Sequence, residues 1–290
     1  MIRSFLQSTL TNKVSYRSML AGNEAFSLGG IAGYVAGGGE TTVDKFVFTN
    51  DSRSTLATGL SSARSLGGGF SNLDSAGYQA GGSSGGDLST VDKFTFPDDT
   101  RSTLSIGLSI ASRLLATFEN SKTAGYVAGG QADAINDQTD RVDKFTFPTD
   151  SRSSTTSLNK PNQISVGFSN VDVAGYVAGG FDGSYTNVVD KFTFPGDSRS
   201  ILSTGLSSPA RAGTGFENDE VAGYASLGEL SGGRTTTVDK FAFPSDSRST
   251  LGTGLSSSRR LTAGFSNKKG IAGYVAGGDT NSANVSTVDK

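Results

Sequence analysis

Residues 174–195 read AGYVAGGFDGSYTNVVDKFTFP, and two short extended runs with a polar connection between them can be read directly from these letters. In Val189-Asp190-Lys191-Phe192-Thr193-Phe194 the residues are β-formers, Phe192 and Phe194 share one face by the period of two, and Pro195 ends the ladder. In Ala174-Gly175-Tyr176-Val177-Ala178 the Tyr and the Val point to opposite faces, which suits a strand covered on both sides. Downstream come a turn rich in Asp, Ser and Arg (Asp197, Arg199), a short Ile-Leu-Ser-Thr run, and Gly205-Leu206-Ser207-Ser208-Pro209-Ala210-Arg211. A run of the type Gly-x-Phe-Ser-Asn or a variant then leads into the next Ala-Gly-Tyr.

The same sentence is written six times. Ala-Gly-Tyr starts at Ala32, Ala76, Ala124, Ala174, Ala222 and Ala272, at spacings of 44, 48, 50, 48 and 50 residues. Val-Asp-Lys follows each time, beginning at Val43, Val91, Val142, Val189, Val238 and Val288. Helical periodicity over 11 or more residues is absent, so the fold class is all-β. A period of 40 to 50 residues with four short strands per unit predicts a β-propeller of four-stranded antiparallel blades. The Ala and Gly residues of the Ala-Gly-Tyr and Gly-x-Phe runs suit strands that converge on a crowded axis.

Arithmetic suggests closure. The last repeat stops at Lys290, directly after Val-Asp-Lys, and the start of the chain offers Ser8-Thr9-Leu10, Ser15-Tyr16-Arg17 and Phe26-Ser27 as the missing parts. Residues 272–290 and 1–31 together make 50 residues, one full repeat. Six blades are therefore expected, divided at 32–75, 76–123, 124–173, 174–221 and 222–271, with the last assembled from both chain ends as one domain without free sheet edges.

Composition narrows the chemistry. The 290 residues include no His, Cys or Trp, which excludes thiol nucleophiles, Ser-His-Asp triads, zinc sites built on Cys or His, and imidazole acid–base catalysis. With 25 basic and 27 acidic residues the net charge is -2, against nucleic-acid binding driven by bulk charge. Glycine, 40 residues, is about twice as frequent as in an average chain. The opening MIRSFLQSTL contains no apolar run of leader length, so a soluble protein without membrane insertion is expected. The Gly-Gly pairs lack the Lys-Ser/Thr of a phosphate loop.

The Gly81-Gly82 pair after a strand, the Val-Asp-Lys-Phe strand and the Ser61-Ser62-Ala63-Arg64 run occur in the order of kelch repeats, which the chain resembles along its whole length, without the blade tryptophan. The AGYVAGG, VDKFTFP, SRSTL and GLSSAR wording is also similar to glycine-rich repeats in structural proteins of marine tailed bacteriophages. The kelch resemblance implies a propeller that binds partners through its loops. The copper site known on another kelch propeller needs His and Cys ligands that are absent here. The phage resemblance implies a tail, fibre or capsid-surface subunit in a virion, contacting other virion proteins or a host-surface protein or glycan, with a homo-oligomer compatible. The alternatives are a soluble cytoplasmic kelch-type interaction module and, less favoured, a carbohydrate-active enzyme. No enzyme activity and no cofactor are expected.

Length variation is concentrated in one connection. From the Ala of Ala-Gly-Tyr to the following Val the distances are 11, 15, 18, 15, 16 and 16 residues, whereas from that Val to the next Ala they are 33, 33, 32, 33 and 34. Insertions of this kind collect on one face, often the binding face. By kelch analogy Arg17, Arg64, Arg113, Arg211 and Arg259 ring the channel mouth on that face, either recognising an acidic or hydroxyl-rich partner or bonding carbonyls between blades. Asp133 and Asp137 of the longest loop offer oxygens, in a spacing unlike an EF-hand, and calcium there competes with a simply solvated loop. Tyr185 is the candidate for stacking on a sugar, or else it packs on the blade beneath. The Asp-Ser-Arg-Ser turns read as Asx turns, in which the aspartate caps its own backbone.

Overall fold

A computed structural model describes residues 25–28, 31–134, 137–267 and 272–290, and among them every regular element is a β-strand. Sheet 1 consists of Ala25–Leu28, Ala32–Ala36, Val43–Val47 and Ser52–Thr55, and sheet 2 of Gly68–Asn72, Ala76–Ala80, Val91–Thr95 and Thr100–Thr103. Sheet 3 contains Ala116–Asn120, Ala124–Ala128, Val142–Thr146 and Ser151–Ser154; sheet 4 contains Val166–Asn170, Ala174–Ala178, Val189–Thr193 and Ser198–Ile201. Sheet 5 has Thr214–Asn218, Ala222–Ser226, Val238–Ala242 and Ser247–Thr250. Sheet 6 has three described strands, Ala263–Ser266, Gly273–Ala276 and Val288–Asp289. Strands within each sheet are antiparallel and neighbour one another in chain order.

Each sheet begins with the strand that carries Phe26, Phe70, Phe118, Phe168, Phe216 or Phe265, one connection upstream of the Ala-Gly-Tyr division used above. The reason is a tight turn: Asn72 pairs with Ala76, and Ser75 N–H returns to Asn72 O, so the two runs form one hairpin. Phe26 and Ser27, assigned from sequence to the closing unit, accordingly pair with Tyr34 and Gly33 of sheet 1.

The register explains how sheets stack. In sheet 2, Phe70, Tyr78 and Lys93 stand side by side on one face, while Ser71, Gly77 and Phe94 stand on the other. Gly77 makes a slot for the preceding sheet: a Cβ there would lie 1.9 Å from the Phe26 ring, and Phe26 in turn stacks on Phe94 with ring centres 5.7 Å apart. The opposite face repeats the arrangement toward sheet 3, where Phe70 covers Gly125 and Tyr78 stacks on Phe147 at 5.3 Å. Stacked, fully covered rings of this kind each contribute roughly 1.5–3 kcal/mol of burial and about 0.5–1.5 kcal/mol more per aromatic pair. Sheet 6 stands on sheet 1 in the same way: Phe265 covers Gly33, and Tyr274 stacks on Phe48 at 5.6 Å.

Charged groups tie the same interfaces. The Tyr34, Tyr78, Tyr126, Tyr176 and Tyr274 hydroxyls each donate to the turn aspartate of the following sheet, respectively Asp99, Asp150, Asp197, Asp246 and Asp51, all at 2.7 Å. Lys45, Lys93, Lys144, Lys191 and Lys290 donate to the second oxygen of the same carboxylates. This corrects the Asx-turn expectation, because these five carboxylates reach across to a neighbouring sheet. The turn arginines fold back instead onto the Val-Asp-Lys aspartate, as Arg53 does on Asp44 at 3.0 Å and Arg199 on Asp190 at 3.2 Å.

The first strands of the sheets touch in series and line a cavity of about 60 Å³, with Ala25, Gly69, Thr117, Gly167, Gly215 and Gly264 among its lining residues. The lack of a side chain is required here, since a Cβ on Gly167 would sit 1.9 Å from the carbonyl oxygen of Thr117. This meets the expectation of small residues where strands converge.

Candidate binding face

The segments that lead from one sheet into the next meet the second-to-third-strand loops at one end of the sheets. Backbone bridges join Arg64 to Glu40, Arg113 to Gln131, Gln163 to Phe181, and Arg260 to Asp279; Arg211 pairs with Glu229 in the same manner. The leading segments also hold one another. Leu114 N–H donates to Leu66 O, Ile164 to Leu114, Ala212 to Ile164, and Leu261 to Ala212, over 2.7–2.9 Å. All five residues have φ between 54° and 64°, a left-handed conformation costly for bulky side chains and retained because each one closes a main-chain hydrogen bond.

On this frame the arginines expected to form one ring divide into two positions. Arg64 and Arg259 lie two residues before the left-handed residue and are wholly buried. Arg64 donates to Gln79 Oε1, Gln79 O and Asp92 Oδ2; Arg259 donates to Val275 O and Asp289 Oδ2. Burial lowers the Arg259 pKa while Asp289 works to raise it. Neither guanidinium faces solvent, so these two do not join a ring at the surface. Arg113 and Arg211 lie one residue later, directly before the left-handed residue, and stay partly exposed. Arg113 bridges Asp87 and Asp133; burial works to lower its pKa, but the bonds to Asp133 and Asp87 outweigh it and hold the group above its ordinary value. Arg17 lies outside the described residues.

Asp133 is exposed, receives Arg113 Nη1 at 2.8 Å, and donates its own N–H to Asp87 Oδ2. Asp137 is exposed and accepts the Gln138 N–H. Among the described residues no group of three or more Asp, Glu, His or Cys side chains is arranged to hold a metal ion. Nor does any helix among them have the length and apolar character to cross a membrane.

Tyr185 sits at the foot of the hairpin Phe181–Tyr185, whose tip residue Gly183 has open space around it. Its ring meets Phe181 edge-on at 6.1 Å, and the Arg211 guanidinium lies 4.7 Å from the Tyr185 ring centre and 5.4 Å from that of Phe181. Arg211 Nε donates to Glu229 Oε2 at 3.1 Å, and Arg260 Nη1 donates to the same oxygen at 2.7 Å. Arg260 Nε and Arg234 Nη2 both donate to Asp279 Oδ2, and Arg234 Nη1 donates to Asn281. Burial alone would raise the Glu229 pKa; Arg260 and Arg211 hold it below the usual carboxylate range. Arg234, Arg260, Glu229 and Asp279 are not marked by the repeat consensus. One sequence signal was available, the doubled Arg259-Arg260, whose members occupy the two different positions.

At the cavity, Glu119 and Glu217 replace a serine that recurs as Ser27, Ser71, Ser169 and Ser266. Ser27 N–H donates to Ser71 Oγ, Ser71 N–H to Glu119 Oε2, and Glu119 N–H to Ser169 Oγ. Burial first, and then nearby Asp219, push the Glu217 pKa up to about 8, against the Ser169 N–H, which lowers it. Compared with protein-family models and with curated proteins, the sequence matches none.

Proposed function

We propose that the chain is a non-enzymatic binding propeller: six kelch-like blades forming a rigid frame whose loop end contacts a partner. The observation that carries this reading is the contrast between the two parts of each repeat. The aromatic stack and the tyrosine–aspartate–lysine contact recur from sheet to sheet, whereas the loops at residues 131–141, 181–187 and 229–234 differ in length and chemistry and lie together at one end. A repeated frame with unlike loops suits recognition of an unlike surface.

The packing of sheet 6 on sheet 1 supports closure of the ring. Sheet 6 ends at three described strands, and Tyr224 and Lys240 of sheet 5 meet no turn aspartate among the described residues. On our reading the missing fourth strand comes from residues before Ala25, with Ser8-Thr9-Leu10 in the outer position; these lie outside the described residues. Deleting residues 1–20 then lowers the melting temperature strongly, and an unchanged melting temperature rejects closure.

The repeat wording favours a place in a phage particle as a tail, fibre or capsid-surface subunit, touching virion proteins or the host surface. Mass spectrometry of purified particles tests this directly. Co-sedimentation at a fixed ratio to capsid or tail proteins is expected, and absence from the particle refutes the virion role.

A further inference from the structure

The corner made by Tyr185, Arg211 and Arg260 has donors to spare. An arginine carries five N–H donors. Arg211 spends its Nε on Glu229, while its two terminal nitrogens stay at a partly exposed surface beside an aromatic pair. Arg260 and Arg234 converge with it through the shared oxygens Glu229 Oε2 and Asp279 Oδ2, giving three guanidinium groups and two carboxylates, a net charge of +1. Such a site suits a monoanion, because a doubly charged phosphate would face Glu229 and Asp279 at close range. Arg211 is also held in orientation, by Glu229 at one edge and by the Phe181 and Tyr185 rings beneath it, so little side-chain freedom is lost when it binds.

We propose that this corner binds the carboxylated residue of an acidic glycan, with the Arg211 fork, stacked on the Tyr185 ring, taking the sugar carboxylate. The chemistry is that of a bidentate guanidinium–carboxylate pair next to an aromatic platform. The adjoining hairpin carries a further cation: the exposed Lys160 ammonium lies 3.3 Å from Asp182. The proposal rests on the reading of this end as the binding face and adds the class of ligand.

The test is calorimetric titration of the full chain with a galacturonic acid hexamer and its methyl-esterified form, and with sialyllactose and lactose. At least one acidic probe is expected to bind about ten-fold more tightly than its neutral counterpart. Arg211→Lys, which keeps the charge and loses the fork, is expected to cost about ten-fold in that affinity with the melting temperature unchanged. Tyr185→Ala should weaken binding of the same probe. Equal binding of acidic and neutral probes, no binding of either acidic probe, or an Arg211→Lys variant with full affinity overturns the proposal. Co-sedimentation with particles reads the broader function separately. A chain fixed in the particle that ignores both acidic sugars refutes this inference alone, and a chain that binds them but is absent from particles refutes the virion role alone.

Discussion

Replacing Asp150 isolates the contact that links one sheet to the next. Its Oδ1 accepts the Tyr78 hydroxyl and its Oδ2 the Lys93 ammonium, both at 2.7 Å, and its own φ is 56°. Asp150→Ala leaves the buried Tyr78 hydroxyl without an acceptor, at a cost of about 1–3 kcal/mol. It also places alanine in a left-handed conformation, costing roughly 1–2 kcal/mol more. Lys93, about one-fifth exposed, turns to water and adds up to about 1 kcal/mol. The sum is about 4 kcal/mol. Asp150→Asn keeps an acceptor for Tyr78 and tolerates the left-handed backbone, so only the ionic part is lost, about 1 kcal/mol. Urea unfolding followed by circular dichroism reads both variants, with the exposed Asp98→Ala as a control expected within about 0.5 kcal/mol of the parent. The reasoning is refuted if Asp150→Ala unfolds like the control, or if Asn costs as much as Ala.

The five tyrosines that donate to turn aspartates are pushed upward, first by burial and then by the carboxylate each one meets, Tyr274 to about 12 and the other four further. Since the folded pKa exceeds the unfolded value near 10, stability is intact below pH 10 and declines above it by about 1.4 kcal/mol per pH unit for each phenol. Tyrosinate absorbance should therefore rise together with loss of the β signal, and five phenols ionising near pH 10 in a folded protein would contradict this. Gly125→Ala puts a Cβ 2.0 Å from the Phe70 ring, itself stacked between Tyr78 and Phe145, and should cost about 3 kcal/mol or more by thermal or urea unfolding; Gly86→Ala, with nothing near, should be neutral. Glu217, held protonated up to about pH 8 by burial and by Asp219, loses folded stability as pH rises from its unfolded range near 4.5 toward 8, so Glu217→Gln should raise the melting temperature at pH 8.5 and leave it unchanged at pH 4.

The strands were legible because their signals are local: Phe192 and Phe194 alternate within six residues, and Pro195 marks the end. The aspartate of the Asp-Ser-Arg turn reads as a local cap because its true partners are remote, Tyr78 lying 72 residues from Asp150. A period in sequence shows that a residue recurs without showing whether it serves its own repeat or the next. The arginines illustrate a finer difficulty. A shift of one residue relative to Leu66 or Leu261 separates a buried arginine from a surface one, and only the backbone conformation reveals that shift. Tyr185 stands out in the sequence as an aromatic in a polar loop, but Arg211 comes to it from elsewhere in the chain and is itself held by Glu229.

The hydrogen-bonded series from Leu66 through Leu114, Ile164 and Ala212 to Leu261 is made by main chain alone. It reads no side chain, and the residues that form it include an alanine among leucines and an isoleucine. Loops anchored to such a belt can exchange residues, lengthen or shorten while the main-chain bonds of the series stay in place. The molecule is in this sense a socket with interchangeable inserts, and on the proposed binding reading variants of the loop end can be selected one loop at a time.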